Sequence, residues 1–193
     1  MEDSRPTLRN GDTIYLLNVY NNSTSYLDAC PSSPTCQSIN GVYSLQTSTT
    51  PNPEEGSSIW EIQSVDGGEG DPISYGDEIY LLNHYGKRSY LDTCGKSTCT
   101  TGKESKFLLQ TGTSPLDSGT WVIIHKANGQ GPVKDGDEIH LQQSDGTEDS
   151  YLDACGQSTC NGNDGVYSLQ TSTNKNRDKG SGTWGIEITY PGK

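Results

Sequence analysis

One pattern written three times limits this chain more than any other feature. Gly-Asp followed by a hydrophobic run stands at Gly11-Asp12, Gly76-Asp77 and Gly136-Asp137. Tyr-Leu-Asp-x-Cys stands at Tyr26–Cys30, Tyr90–Cys94 and Tyr151–Cys155, and Trp followed two residues on by Ile stands at Trp60/Ile62, Trp121/Ile123 and Trp184/Ile186. All three tryptophans and all six cysteines belong to the repeat, so its register is not chance. The copies run approximately over 8–66, 73–127 and 133–190, within a single domain spanning 1–193.

Each copy reads as four short strands, rich in β-branched and aromatic residues and bounded by Gly, Asn, Asp, Ser or Pro. The first strands are Ile14–Val19, Ile79–His84 and Ile139–Gln143; the second are Ser25–Ala29, Ser89–Thr93 and Ser150–Ala154. The third are Val42–Thr47, Lys106–Thr111 and Val166–Thr171; the fourth are Ile59–Gln63, Thr120–Ile124 and Thr183–Ile188. No window carries a sustained 3.6-residue apolar period, so the expectation is an all-β chain. Three units are too few for a propeller, and a threefold barrel capped by hairpins uses twelve strands and leaves no open edge.

Alternation assigns the core. Ile14/Leu16, Ile79/Leu81 and Ile139/Leu141 face in from the first strands, and Leu27, Leu91 and Leu152 from the second. Tyr43/Leu45, Phe107/Leu109 and Tyr167/Leu169 fill from the third strands, and the Trp/Ile pairs from the fourth. The tryptophans read as core rather than as sugar platforms, because they recur in register beside Ile. Asp12, Asp77 and Asp137, each after a glycine, read as turn-makers.

The run Leu81-Leu82-Asn83-His84-Tyr85-Gly86-Lys87, then Tyr90-Leu91, then Gly119-Thr120-Trp121-x-Ile123, resembles the fascin-like branch of the β-trefoils. That resemblance implies a β-trefoil with pseudo-threefold symmetry, a fold often used by lectins. The glutamine-x-tryptophan signature of ricin-type trefoil lectins is absent, so no sugar-site residues carry over from that branch.

Composition and charge exclude several classes. Hydrophobic residues make up 29% of the 193, yet they cluster in short strands rather than being spread thin as in a disordered chain. A net charge of −12 argues against nucleic acid and anionic membrane surfaces, and no stretch approaches the roughly 18 apolar residues of a membrane span. The opening Met1-Glu2-Asp3-Ser4-Arg5-Pro6 lacks an apolar run, so no signal peptide is expected. The cysteines pair locally as Cys30/Cys36, Cys94/Cys99 and Cys155/Cys160, which reads as one disulfide within each copy, with free thiols as the alternative. Such short loops would each stabilise by about 2 kcal/mol. Disulfides point to an extracellular setting and the missing signal peptide to a cytoplasmic one. Asn21-Asn22-Ser23-Thr24 holds two overlapping glycosylation sequons, relevant only on a eukaryotic secretory route.

No asymmetric nucleophile–base constellation, glycine-rich phosphate loop or metal-ligand spacing stands out, so neither catalysis nor a cofactor or metal is expected. Asp145-Gly146-Thr147-Glu148-Asp149 reads as a solvated acidic loop. The best binding candidates are Asp28, Asp92 and Asp153, each following an inward Leu and therefore expected to face outward. Asn18, Asn83 and Gln143 lie near them on the first strands, with Tyr20 and Tyr85 two residues on from the asparagines. The third copy has Asp145 in place of that tyrosine. A carboxylate, an amide and an aromatic face suit a sugar. The aspartates equally suit bonding to amides of their own loops. The expected function is a multivalent, non-enzymatic lectin with up to three sites for glycans or glycoproteins. The alternative is a protein-binding trefoil, either a cytoskeletal binder or a protease inhibitor presenting Pro51–Glu55 or Lys175–Lys179. A third reading is the targeting module of a separate toxin or enzyme chain.

Overall fold

The computed structural model describes residues 3–30, 35–36, 40–51, 56–97, 104–115, 117–144, 149–158, 160 and 165–189. The first copy supplies β1 (Thr13–Asn18), β2 (Ser25–Cys30), β3 (Gly41–Ser48) and β4 (Trp60–Ser64). The second supplies β5 (Glu78–Asn83), β6 (Ser89–Lys96), β7 (Ser105–Gly112) and β8 (Trp121–His125). The third supplies β9 (Glu138–Gln143), β10 (Tyr151–Gln157), β11 (Gly165–Ser172) and β12 (Trp184–Ile188). Among the described residues the chain is all-β, with only two single-turn 3-10 segments, Tyr20–Asn22 and Asp117–Gly119. None of its helices is long and apolar enough to cross a membrane.

The first and fourth strands close a ring in the order β1, β4, β5, β8, β9, β12 and back to β1, every pair antiparallel. The second and third strands form the hairpins β2–β3, β6–β7 and β10–β11. At one end of the ring the third strands pair with one another in a triangle, β3 with β7, β7 with β11 and β11 with β3. Register repeats with the copies: Ile14 faces Trp60, Ile79 faces Trp121 and Ile139 faces Trp184. Each indole lies fully buried and donates from Nε1 to the carbonyl of the second-strand leucine, Leu27 (3.0 Å), Leu91 (3.2 Å) or Leu152 (3.1 Å). That bond satisfies the one polar atom of the ring, so its apolar area is buried without an unpaired donor.

The turn aspartates act alike as well. A carboxylate oxygen of Asp12, Asp77 or Asp137 accepts the backbone amide three residues earlier, at 2.8 Å in each case. The preceding Gly11, Gly76 and Gly136 have φ of 96°, 97° and 82°, a region costly for any side chain. These turns thread a second layer of core that alternation did not reveal. Leu8, Ile73 and Val133 are buried at the end of the ring opposite the triangle of third strands. Their backbones form a closed loop of bonds: Leu8 N to Val133 O at 2.9 Å, Val133 N to Ile73 O at 2.8 Å, Ile73 N to Leu8 O at 2.9 Å.

The cysteines pair differently from the local expectation. Cys30 is joined to Cys160, 130 residues away, and Cys36 to Cys94, 58 residues away. Cys155 is also disulfide-bonded, and Cys99 lies outside the described residues. The cause is the triangle of third strands. Because β3 pairs with β11 and with β7, the hairpin ends of different copies are brought together there.

Candidate functional site

The second-strand aspartates do not face outward. Asp28, Asp92 and Asp153 are 2%, 8% and 0% exposed. The face of β2, β6 and β10 opposite the core is roofed by the connection between third and fourth strands, so alternation across the strand does not lead to water. In the first copy Ser57 O accepts from Ala29 N at 3.0 Å; in the third, Ser181 O accepts from Ala154 N at 2.8 Å. Gly182 sits so close that a Cβ there would lie 2.2 Å from Lys175 O. Under this roof Gln46 Nε2 and Ser58 Oγ donate to Asp28 at 2.9 and 3.1 Å, and Gln170 Nε2 donates to Asp153 at 3.0 Å. The aspartates are bonded internally, by side chains more than by loop amides.

The neighbouring amides are structural clips. Asn18 Nδ2 donates to Ser181 O (3.0 Å) and Thr183 O (3.1 Å), and Asn83 Nδ2 donates to Ser57 O (2.8 Å) and Ile59 O (3.1 Å). Each asparagine thus fastens its own copy to the roof of the preceding one. Gln143 is buried, and its Oε1 has no partner among the described residues. Tyr20 is buried, donates to Asp178 (3.0 Å) and packs on Tyr167; Tyr85 packs on Tyr43, and Asp145 lies outside the described residues. Tyr20, Tyr85, their asparagines and the aspartates therefore do not converge on an open cleft.

The 175–179 loop is likewise turned into the body. Arg177 Nε donates to Asp153 at 2.9 Å and Nη2 to Ala154 O at 3.1 Å, while the Lys175 ammonium lies over the Tyr151 ring, 5.8 Å from its centroid. Such a loop does not present a free strand to a protease. Of the other loop, residues 52–55 lie outside the described residues, as do 145–148 of the acidic loop.

The second copy has no arginine at the place of Arg177. Burial pushes the Asp92 carboxyl above its ordinary value of 3.8, against the lowering effect of bonds from Ser118, Gln110 and the Thr93 amide. A raised carboxyl pKa in the folded state means that the charged form is disfavoured there, so stability falls as pH rises through that value. Asp92→Asn removes this penalty. Melting curves are expected to show the variant gaining on wild type at neutral pH and the gain vanishing below the carboxylate range.

An open surface with an apolar floor lies on the outer wall of the ring, where β1 meets β12. Tyr15 is opposite Glu187 and Leu17 is opposite Gly185, and these side-chain positions face away from the tryptophans. Tyr26, opposite Leu17 on β2, meets Tyr15 edge-on at 5.8 Å between centroids. Burial, then the charge of Glu187, then Tyr15 push the Tyr26 hydroxyl up in pKa. A cleft of about 490 Å³ opens here over Leu17, Gly185 and Ile186. Val19, the large hydrophobic side chain that is most exposed among the described residues at 45%, lines it with Thr183, and Arg5, Asp135, Glu138 and Glu187 complete its rim.

The threefold pattern is broken at this cleft. The residue after each tryptophan is Glu61, Val122 or Gly185, facing Leu82, Gln142 or Leu17 across the ring. Glu61 accepts from His84 (2.8 Å) and Arg88 (2.9 Å) and lines, with Asn10, Gly11, Gln63 and Glu69, a related cleft of about 470 Å³ that is polar rather than apolar. In the third groove His140 and Tyr151 are themselves buried, with Lys175 over the tyrosine. The signal was present in the aligned repeat: glycine stands where the other copies carry a side chain. Among the described residues no group of three or more His, Cys, Asp or Glu is arranged to hold a metal.

No family profile matches the chain, and no curated protein matches it. Solved structures do. A Caenorhabditis elegans protein of unknown function is similar at a TM-score of 0.71 and 18% identity, over 96% of this chain and 98% of that one. The SDF2-like protein of Arabidopsis thaliana is similar at 0.67 and 18%, over 96% and 97%. A chain of the Saccharomyces cerevisiae protein O-mannosyltransferase Pmt1–Pmt2 complex bound to the sugar donor is similar at 0.72 and 12%, over 97% of this chain and 26% of that one. At these identities the likeness is one of fold.

Proposed function

We propose that the protein is a non-enzymatic carbohydrate-binding β-trefoil whose sugar site is the cleft between β1 and β12. The observation that carries this reading is the gap at Gly185. Thr183, just before β12, and Gly185 and Glu187 within it fall on one side by alternation, and four residues of extended chain span about 13 Å. The missing side chain in the middle leaves room for one pyranose ring between a hydroxyl and a carboxylate. Its C–H face would rest on Leu17 and Val19, and its hydroxyls would meet the polar rim, the few convergent polar groups over an apolar floor that ligand sites use. The similarity in fold to a chain of a mannosyltransferase complex bound to a sugar donor lends support by analogy only.

On this reading one site dominates, because the related cleft beside Glu61 is lined by polar residues without the apolar floor of Leu17 and Val19, and Val122 stands at the third position. Gly185→Glu copies the first repeat into the third. A Cβ at Gly185 would meet Leu17 only at 3.8 Å, an ordinary contact, so the fold should tolerate the change. A glycan array, run with and without calcium, is expected to find ligands for wild type, and Gly185→Glu to weaken the best of them by about tenfold or more through lost space and contact. A wild-type array without any ligand, or unchanged binding by the variant, counts against the site.

A further inference from the structure

We infer that the sugar bound in this cleft carries a protonated amine, as a deacetylated amino sugar does. This deepens the carbohydrate reading and rests on it. Two independent observations meet in the cleft.

The first is a buried hydroxyl that lacks a partner. Thr183 is 2% exposed and lines the cleft, and its Oγ1 has no hydrogen-bond partner among the described residues. A buried polar atom left unpaired costs free energy that a ligand hydroxyl at the site would recover.

The second is an imbalance of charge that the cleft does not resolve for itself. Arg5 contributes the cleft's cation, and four of its five N–H donors are already taken: one on Nη2 and that on Nε by Asp3 at 2.7 and 3.1 Å, and both on Nη1 by Asp137 at 2.8 Å and Asp135 O at 3.1 Å. Among the three rim carboxylates, Asp135 accepts Ile188 N at 2.8 Å and Glu138 accepts Lys126 Nζ at 2.8 Å. Glu187 is exposed, and its carboxylate has no hydrogen bond or ion pair among the described residues. It stands across from Tyr15, whose ring adds a face suited to a cation. An ammonium at Glu187 and a hydroxyl at Thr183 would satisfy both ends of the row, with the ring over Gly185. The net charge of −12 works in the same sense, attracting cationic ligands and repelling uronates, sialic acids and sulfated sugars.

The test compares glucosamine trisaccharide, its fully N-acetylated counterpart, a galacturonate trisaccharide and trilysine by titration calorimetry at mildly acidic pH and low salt. The amine sugar is expected to bind about tenfold tighter than the acetylated one, the worth of one charge-assisted hydrogen bond, with no binding of the galacturonate. That preference is expected to fade at alkaline pH, where the amine is neutral, and Glu187→Gln is expected to bring the ratio close to one. Equal or tighter binding of the acetylated sugar overturns the amine inference and leaves the carbohydrate reading standing. A ratio unchanged in Glu187→Gln does the same. Trilysine binding as tightly as the amine sugar shows a site that reads charge rather than sugar, and failure of every sugar to bind overturns both readings.

Discussion

Arg177→Ala is expected to destabilise the protein by about 3–5 kcal/mol, the cost of leaving a buried charge without its partner. Asp153 is fully buried, and the side chain of Arg177 is only 14% exposed, with Nε 2.9 Å from the carboxylate. Gln170 alone would then face a desolvated charge. For a chain of this size the loss corresponds to a fall in Tm of about 10 °C. The double variant Arg177→Ala/Asp153→Asn removes the charge together with its partner and is expected to recover most of the loss, as buried pairs replaced jointly often do. Thermal or urea denaturation of the two variants decides the matter. A single variant within about 1 kcal/mol of wild type would mean that Asp153 reaches water, contrary to its burial.

Loss of the Cys30–Cys160 bridge is the second large effect. The chain-entropy account gives about 5 kcal/mol for a loop of 130 residues and about 4 kcal/mol for the 58-residue loop of Cys36–Cys94. The two loops nest, so their sum is smaller than the parts added. Cys30→Ser/Cys160→Ser is expected to lower stability by several kcal/mol under oxidising conditions and to leave little difference from wild type once both are reduced. Peptide mapping after non-reducing digestion checks the premise. It is expected to recover links between the first and third copies and between the first and second, and to place Cys155 in a third link to the second copy. Recovery of Cys30 with Cys36 would overturn the arrangement.

The parts of this fold legible in the sequence are those set by local period. Strand alternation placed Ile14, Leu16, Leu27 and the Trp/Ile pairs inside, and the glycine–aspartate turns were found where Asp12, Asp77 and Asp137 predict them. What escaped depends on contacts between copies. Asp28 alternates correctly with Leu27, yet its face is covered by a loop about thirty residues further on, and no pattern along β2 records that cover. The cysteine spacing gives loop length but not which hairpin ends meet, and the triangle of β3, β7 and β11 decides that. Leu8, Ile73 and Val133 stand outside any alternating run, so only the closed loop of backbone bonds marks them as core. The cleft is the reverse case: it is recorded plainly as a glycine after Trp184, at a position where the copies differ rather than in the pattern they share.

The pairing of β1 with β12 also governs how the protein can assemble. Ile14 meets Ile188 and Asn18 meets Trp184, contacts that span nearly the whole chain. During synthesis β12 emerges after the other eleven described strands, and until it docks β1 and β9 each keep an open hydrogen-bonding edge. Between the emergence of β9 and the docking of β12 the chain therefore carries two sticky margins, and closure waits for a slow, long-range encounter. The same seam carries the Gly185 cleft, so the cleft takes shape only when β12 docks on β1.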